Sequence, residues 1–376
     1  MRAKHEKALR IGFGLGVGGF ALALPLGAQA LQLNFGEVTG SLDTTVSAGA
    51  TWRMEDRDPG LVGSANGGTS RSVNDDDGNL NYDKGDVVSS TIKATNDLEL
   101  KYGNAGIFNR LTYFYDFQAH DDDEFFGKRG DDRLKSELDF LDAFVYFNFR
   151  LNGRNSAVRF GKQVVNWGES TFIGNSINTI NPFDVAKLRT PGAELKEALV
   201  PVPMFWGSTS LTDSLSAEAV WLWSYQETVI DPRGSFFSTN DFLSDDGDKA
   251  YAGGGRRNDQ NNTETISVTT GAAAIPRTGD DRPRGETQQY GAALRYFAEW
   301  LNSTEFGLYY LKYHSRLPLF SGLRATDTSS TPARLASARY FAEYPENIEL
   351  YGLSFNTDGP LGIALQGEYS YRPNLP

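Results

Sequence analysis

The chain has 376 residues, with 48 acidic against 36 basic side chains, a net charge of −12 and no cysteine. The acid excess excludes a nucleic-acid binder, which needs basic surface. The lack of thiols excludes disulfides, thiolate metal centres and a cysteine nucleophile.

Arg2, Lys4, Lys7 and Arg10 face one Glu6 at the start of the chain. An apolar Gly/Ala-rich run follows over residues 11–26, broken by Pro25, and Ala28-Gln29-Ala30 gives a small-x-small cleavage pattern. This order reads as a secretory signal peptide over residues 1–30. The run is shorter than the ~20 residues of a helical span, and no later stretch comes near one. Residues 31–376 are then the exported part.

Eleven strand-like segments follow: residues 39–53, 89–102, 107–117, 138–151, 156–166, 203–211, 215–226, 288–300, 304–314, 347–357 and 361–372. The connections alternate without exception. The short ones are 103–106, 152–155, 212–214, 301–303 and 358–360; the long ones are 54–88, 118–137, 167–202, 227–287 and 315–346. Short turns at one end and long loops at the other are expected of an all-β, transmembrane, antiparallel up-and-down β-barrel of the outer-membrane type. An outer-membrane location follows, with lipid and lipopolysaccharide as the surroundings.

Within the segments apolar and polar residues alternate with period two, which puts one set on lipid and the other in a polar lumen. The expected lumen set includes Lys93, Asp97, Glu99, Lys101, Asp142, Arg150, Glu218, Arg295, Glu368 and Arg372. In the fourth segment Leu141, Ala143, Val145 and Phe147 are expected on the outer face. The fifth puts Lys162 beside Val158 and Phe160, which a bulge or an interfacial position would explain. The sixth and ninth are apolar on both faces, so their register stays open. Aromatics near segment ends, among them Trp52, Tyr102, Tyr115, Tyr225, Trp300, Tyr313 and Tyr371, suit interfacial girdles. Eleven strands is odd, whereas single-chain bacterial barrels normally have an even number. Either a strand lies in 227–287, where Glu264–Thr270 alternates weakly, or the barrel is longer than this chain. The chain by itself is expected not to close.

The third long connection, 167–202, differs from the others, which are rich in Asp, Gly, Ser and Asn. It holds Ile173, Ile177, Ile180, Phe183, Val185, Leu188, Leu195, Leu199 and Val200, enough to pack, and residues 193–199 suit a short helix. Such a loop is expected to fold inward and narrow or plug the lumen. Glu169, Asp184, Lys187, Arg189, Glu194, Lys196 and Glu197 would then line the constriction and set selectivity. The other reading is a cap packed on the rim.

The runs Arg159-Phe160-Gly161-Lys162-Gln163-Val164-Val165-Asn166-Trp167-Gly168-Glu169-Ser170, Ile180-Asn181-Pro182 and Pro191-Gly192-Ala193-Glu194-Leu195-Lys196-Glu197-Ala198 resemble the DUF1302 family. The resemblance runs from the signal peptide to the last residue. It implies an outer-membrane barrel, typically longer than this chain, and, by the company the family keeps, envelope transport partners and traffic of hydrophobic compounds.

Other motifs carry less. Residues 75–86 space acids like a calcium loop, but Leu80 stands at the turn glycine and Asp86 at the terminal Glu, so a solvated acidic loop is expected. His120-Asp121-Asp122-Asp123-Glu124 and Asp245-Asp246-Gly247-Asp248 read likewise. Arg256-Arg257 and Arg282-Pro283-Arg284 suit either lipopolysaccharide phosphates or ordinary charge balance. His120 and His314, the histidines of the exported part, have no Gly-x-Ser-x-Gly partner, so no enzyme, cofactor or metal site is expected. Two function classes remain: a channel or transporter for a small apolar or amphiphilic solute, and a structural or adhesive surface protein with long acidic loops.

Overall fold

The computed structural model describes residues 12–16, 19–121, 126–170, 174, 176–256, 259, 266–267, 272–359 and 362–376. Its strands are β1 (Gly12–Gly16), β2 (Gly19–Phe35), β3 (Val38–Arg53), β4 (Val87–Tyr102), β5 (Ala105–Asp116), β6 (Ser136–Leu151), β7 (Arg154–Gln163), β8 (Val202–Ser210), β9 (Leu215–Leu222), β10 (Lys249–Ala252), β11 (Ile266–Ser267), β12 (Ala272–Pro276), β13 (Gln289–Ala298), β14 (Thr304–Tyr313), β15 (Leu319–Leu323), β16 (Arg339–Glu343), β17 (Ile348–Asp358) and β18 (Ala364–Tyr371). Among the described residues, thirteen form one sheet in the order β1-β2-β3-β4-β5-β6-β7-β8-β9-β13-β14-β17-β18. Every neighbouring pair is antiparallel. Each of the eleven expected segments is a strand of this up-and-down sheet, and no described helix is long and apolar enough to cross a membrane.

Tight turns close the short end. Asn152 and Gly153 both take positive φ (50° and 78°), as the two-residue turn that matches strand twist requires. The long end builds its own structure. β10, β12 and β11 form a three-stranded sheet, and β15 pairs β16. Ile266 and Ser267, the described part of the weakly alternating 264–270 stretch, pair with β12 there rather than joining the main sheet; Glu264, Thr265 and Val268–Thr270 lie outside the described residues. β1 and β18 are the two edges of the main sheet and do not pair with each other, so the sheet is open.

β1 and β2 cover most of the segment read as a signal peptide, and β2 pairs β3 along its length. Cleavage after Ala30 would leave Leu31–Phe35 of β2 on the β3 edge.

The two faces of the sheet are inverted relative to a water-soluble protein. Large apolar side chains stand exposed on the outer face: Leu138 at 63%, Phe160 at 55%, Leu353 at 55% and Tyr369 at 65%. Thr91, Lys93, Thr95, Asp142 and Ser354 are buried on the inner one.

Three expectations are corrected. The β5–β6 pairing slips between Asn109 and Leu111, where Ala143 and then Phe140 are the partners, so β6 carries one extra residue. That bulge reverses the face of what precedes it, and Leu141 is buried inside while Leu138 and Phe140 point out. Tyr313 is buried and its hydroxyl accepts from Arg372 Nε at 2.9 Å, so it belongs to the interior and not to a girdle. Tyr225 donates to the Ser315 carbonyl within the long loops. β7 itself pairs without a slip. Lys162 therefore sits at the long-loop end of the outer face, and its ammonium turns back to the Phe140 carbonyl (2.6 Å) and Asp139 (3.6 Å).

Candidate functional site

The connection between β7 and β8 folds inward. Trp167, Ile177 and Ile180 are wholly buried in one apolar cluster with Met204, Val220, Leu222, Ala293, Tyr309, Leu311, Ile348 and Leu350, the inner faces of β8, β9, β13, β14 and β17. This explains why the sixth and ninth segments read as apolar on both faces: the loop covers their inner side. Two glycines let it approach. A Cβ on Gly291 would stand 2.9 Å from Trp167 Cζ3, and one on Gly352 would stand 2.8 Å from Ile177 Cδ1.

The neck of the loop is stitched by Asn181. Its Oδ1 accepts from Val165 N, and its Nδ2 donates to the carbonyls of Gln163 and Val200, all within 3.0 Å. Entry and exit strands are thereby tied to the Ile180-Asn181-Pro182 run. Arg316, wholly buried, donates to the carbonyls of Ile180 (2.9 Å) and Gln226 (3.2 Å). Burial pulls its pKa down to about 10, which leaves it charged at neutral pH.

Polar anchors then fasten the loop to strands far apart in the sheet. On one side the Glu368 carboxylate of β18 accepts from the backbone N–H of Glu169 (2.8 Å), Ser170 (3.2 Å) and Ile177 (3.0 Å). Glu169 accepts from Ser354 and Asn356 of β17, each at 3.2 Å. Arg372 donates to the Ser176 carbonyl. On the other side Glu197 is ion-paired with Lys93 and accepts from Thr95 Oγ1 (2.8 Å), both on β4. Lys187 pairs with Glu137 (3.0 Å) and Asp139 (3.1 Å) of β6, and Lys196 approaches Asp97 at 3.7 Å. β4 and β18 are nine strand steps apart, roughly 43 Å along a flat sheet at ~4.8 Å per step. One connection packs against both because the sheet curls around it.

The loop's helices position the charges. Asp184 caps Val185–Arg189 by accepting from Lys187 N at 3.0 Å. Glu197 closes Leu195–Ala198, the helix expected over 193–199, by accepting from Glu194 N at 3.1 Å. Burial pushes the Asp184 carboxyl above its ordinary range, opposed by Lys187 and Arg133. Burial pulls Lys187 down, but Glu137, Asp184 and Asp139 outweigh it and hold the ammonium above its usual value. Arg189 pairs with Asp231 of the next long loop and donates to the Phe237 carbonyl. Burial lifts Asp231 to about 6 despite Arg189. Glu194 and Lys196 pair at 2.9 Å and remain the most open charged pair of the loop.

Of the expected inner-face charges, Asp97 and Asp142 share Arg110 (2.7 and 2.9 Å). Glu99 pairs Lys101 (2.9 Å) and accepts from Tyr146 (2.7 Å) near the short-turn end. Glu218 accepts from the indole N–H groups of Trp167 (3.1 Å) and Trp206 (3.2 Å) and pairs with Arg295 (3.2 Å). Arg150 is exposed at the short-turn end, away from the loop. Sequence reasoning missed Arg110, Arg316 and Asn181. Their roles depend on partners that the fold brings near; only Asn181 sat in a motif. Thr171–Ile173 and Asn175 of the loop, Asp122–Glu124 and Arg257 lie outside the described residues.

The family model described as "Protein of unknown function (DUF1302)" matches residues 11–376. The chain belongs to that family. No curated protein matches this DUF1302 chain in sequence. Among solved structures it is similar to the siderophore receptor PirA of Pseudomonas aeruginosa, at 9% identity, a TM-score of 0.34, and coverage of 94% of this chain and 50% of that one. It is also similar to a mutant of the ferric enterobactin receptor PfeA of Pseudomonas aeruginosa, at 10% identity and a TM-score of 0.36, over 94% and 51% of the two chains. The chain spans about half the length of these structures. The up-and-down fold stands on the strand pairing above.

Proposed function

We propose that this DUF1302 chain forms wall and plug of an outer-membrane pore that passes small amphiphilic molecules. One observation carries the reading: the β7–β8 connection lies across the inner face and is fastened to β4 on one side and β18 on the other. An apolar outer face around a buried polar inner face suits a sheet set in lipid. A polar lumen spanned by an anchored loop is the arrangement of a plugged or constricted barrel. Above the loop helix lies a cavity of about 90 Å3, whose lining includes Phe126, Phe236 and Phe237 beside Lys187, Arg189 and Asp231. Apolar walls next to charged groups suit a solute with a greasy body and an ionic or polar head. The open pair Glu194–Lys196 is the first choice for a selectivity element; Glu169, Asp184, Lys187, Arg189 and Glu197 hold the loop in place. The wall is complete once its two edges are paired, with each other or with further chain: β18 on one side and, after cleavage at Ala30, β3 with the remainder of β2 on the other.

The test is conductance in planar bilayers of protein extracted without denaturation from outer membranes, compared with a variant lacking residues 170–197. A several-fold larger current in the variant is expected. Equal currents would reject the plug. Absence of current in both would favour a structural or adhesive surface protein, for which the sheets β10-β12-β11 and β15-β16 in the long loops supply a built platform.

A further inference from the structure

Residues 75–86 read as a solvated acidic loop, yet Asp76 and Asp77 are buried, at 0% and 5% exposure. They start the short helix Asp77–Leu80 in the first long connection. Asp241, equally buried, comes to them from the fourth long connection, 164 positions away from Asp77. One carboxylate oxygen from each of the three lies within 4.8 Å of the others.

The hydrogen bonding of this group is incomplete. Asp76 Oδ2 accepts from Gly63 N (2.7 Å) and Asn66 Nδ2 (3.0 Å). Among the described residues its Oδ1 is buried with no hydrogen-bond partner, and so is the Oδ1 of Asn66, whose amide nitrogen holds Asp76. Asp241 has only long contacts, with Asp77 N (3.4 Å) and Ser238 Oγ (3.5 Å). Among the described residues, acidic groups outnumber basic ones around the cluster. Arg233 pairs with Asp77 at 2.6 Å, but it is shared with Asp248 at 3.5 Å. Asp259, held by Asn66 Nδ2 at 2.9 Å, and Asp75 add further negative charge. An unpartnered carboxylate oxygen in a buried, net-negative cluster calls for a cation.

We propose that Asp76, Asp77 and Asp241, with the Asn66 side-chain oxygen, bind a hard divalent cation of the calcium type that clamps the first and fourth long loops together. The donors are all oxygens, and they mix carboxylates with a neutral amide carbonyl on irregular loops, which suits Ca2+ better than a rigid octahedral ion. The EF-hand order is not used, because the ligands come from two loops instead of one. The clamp sits where the loops already meet: Asn81 Nδ2 donates to the Gly234 carbonyl at 2.9 Å, and a Cβ on Gly78 would stand 2.2 Å from the Ser235 carbonyl. The site is independent of the pore reading and stands or falls separately from it.

The test uses the full chain in detergent at pH 7.5, stripped with a chelator and then given Ca2+. Ca2+ is expected to raise the melting temperature by several degrees and to give a binding heat in calorimetry, and Asp241→Asn should lose both. If Asp241→Asn does not fold, Tb3+ luminescence of the native chain, competed by Ca2+, gives a second reading. No melting shift, no binding heat and no Tb3+ signal at pH 7.5 would overturn the proposal.

Discussion

Trp167→Ala is expected to free the inward loop from the sheet. The indole is fully buried, packs tilted against Tyr309 at 5.9 Å between centroids, and donates to Glu218 at 3.1 Å. Truncating a buried Trp costs about 3–5 kcal/mol, as lost burial plus the cavity left behind. Here the loss falls on the loop rather than on the strand ladder, because β8, β9, β13 and β14 keep all their backbone pairing. The loop should therefore detach while the sheet persists. The expected result is a several-fold higher single-channel conductance and new protease cleavage between residues 168 and 200, with the strand core still resistant. Trp167→Phe, which keeps most of the volume, should behave close to the parent. Unchanged conductance with a loop that is cut as fast as in Trp167→Ala would show that the loop does not obstruct the path.

Glu197→Ala should act on the opposite side of the loop. Lys93 is buried, and without Glu197 its ammonium keeps only the Gly192 carbonyl at 2.8 Å. Breaking one partner of a buried pair costs about 3–5 kcal/mol, whereas replacing both with apolar residues of similar volume is often neutral. The single variants Glu197→Ala and Lys93→Ala are expected to loosen the loop, and the double variant Lys93→Met with Glu197→Leu to restore most of its protection from protease. If the double variant were no better than the singles, the pair would not be the fastening, and the Glu194–Glu197 cap or Thr95 would have to carry it.

The strands could be read from the chain for a local reason. A strand needs only its own period-two pattern, and most of the eleven main-sheet segments from β3 to β18 carry it; β8 and β14, apolar on both faces, are bounded instead by their turns. The same parity puts Lys93, Glu218 and Glu368 on one face, and in the structure they meet the β7–β8 connection: Lys93 pairs with Glu197, Glu218 accepts from Trp167, and Glu368 accepts from the Glu169 N–H. It misplaced Leu141, since a bulge adds one residue without leaving a mark in hydropathy. It misplaced Tyr313, since an aromatic at a strand end looks alike on either face.

The loop's composition announced that it would pack, but not onto what. Glu368 lies 199 positions from Glu169, and Asp241 lies 164 from Asp77; no local pattern links residues that far apart. The sequence alone determined the all-β up-and-down order, the one-sided loops and the odd character of residues 167–202, because these follow from spacing and periodicity. Only the tertiary structure decided that the loop is bound from β4 to β18, that its charges serve mainly as fastenings, and that two acidic loops meet in a buried cluster. Those outcomes depend on the curl of the sheet, which brings distant strands and loops within hydrogen-bond reach.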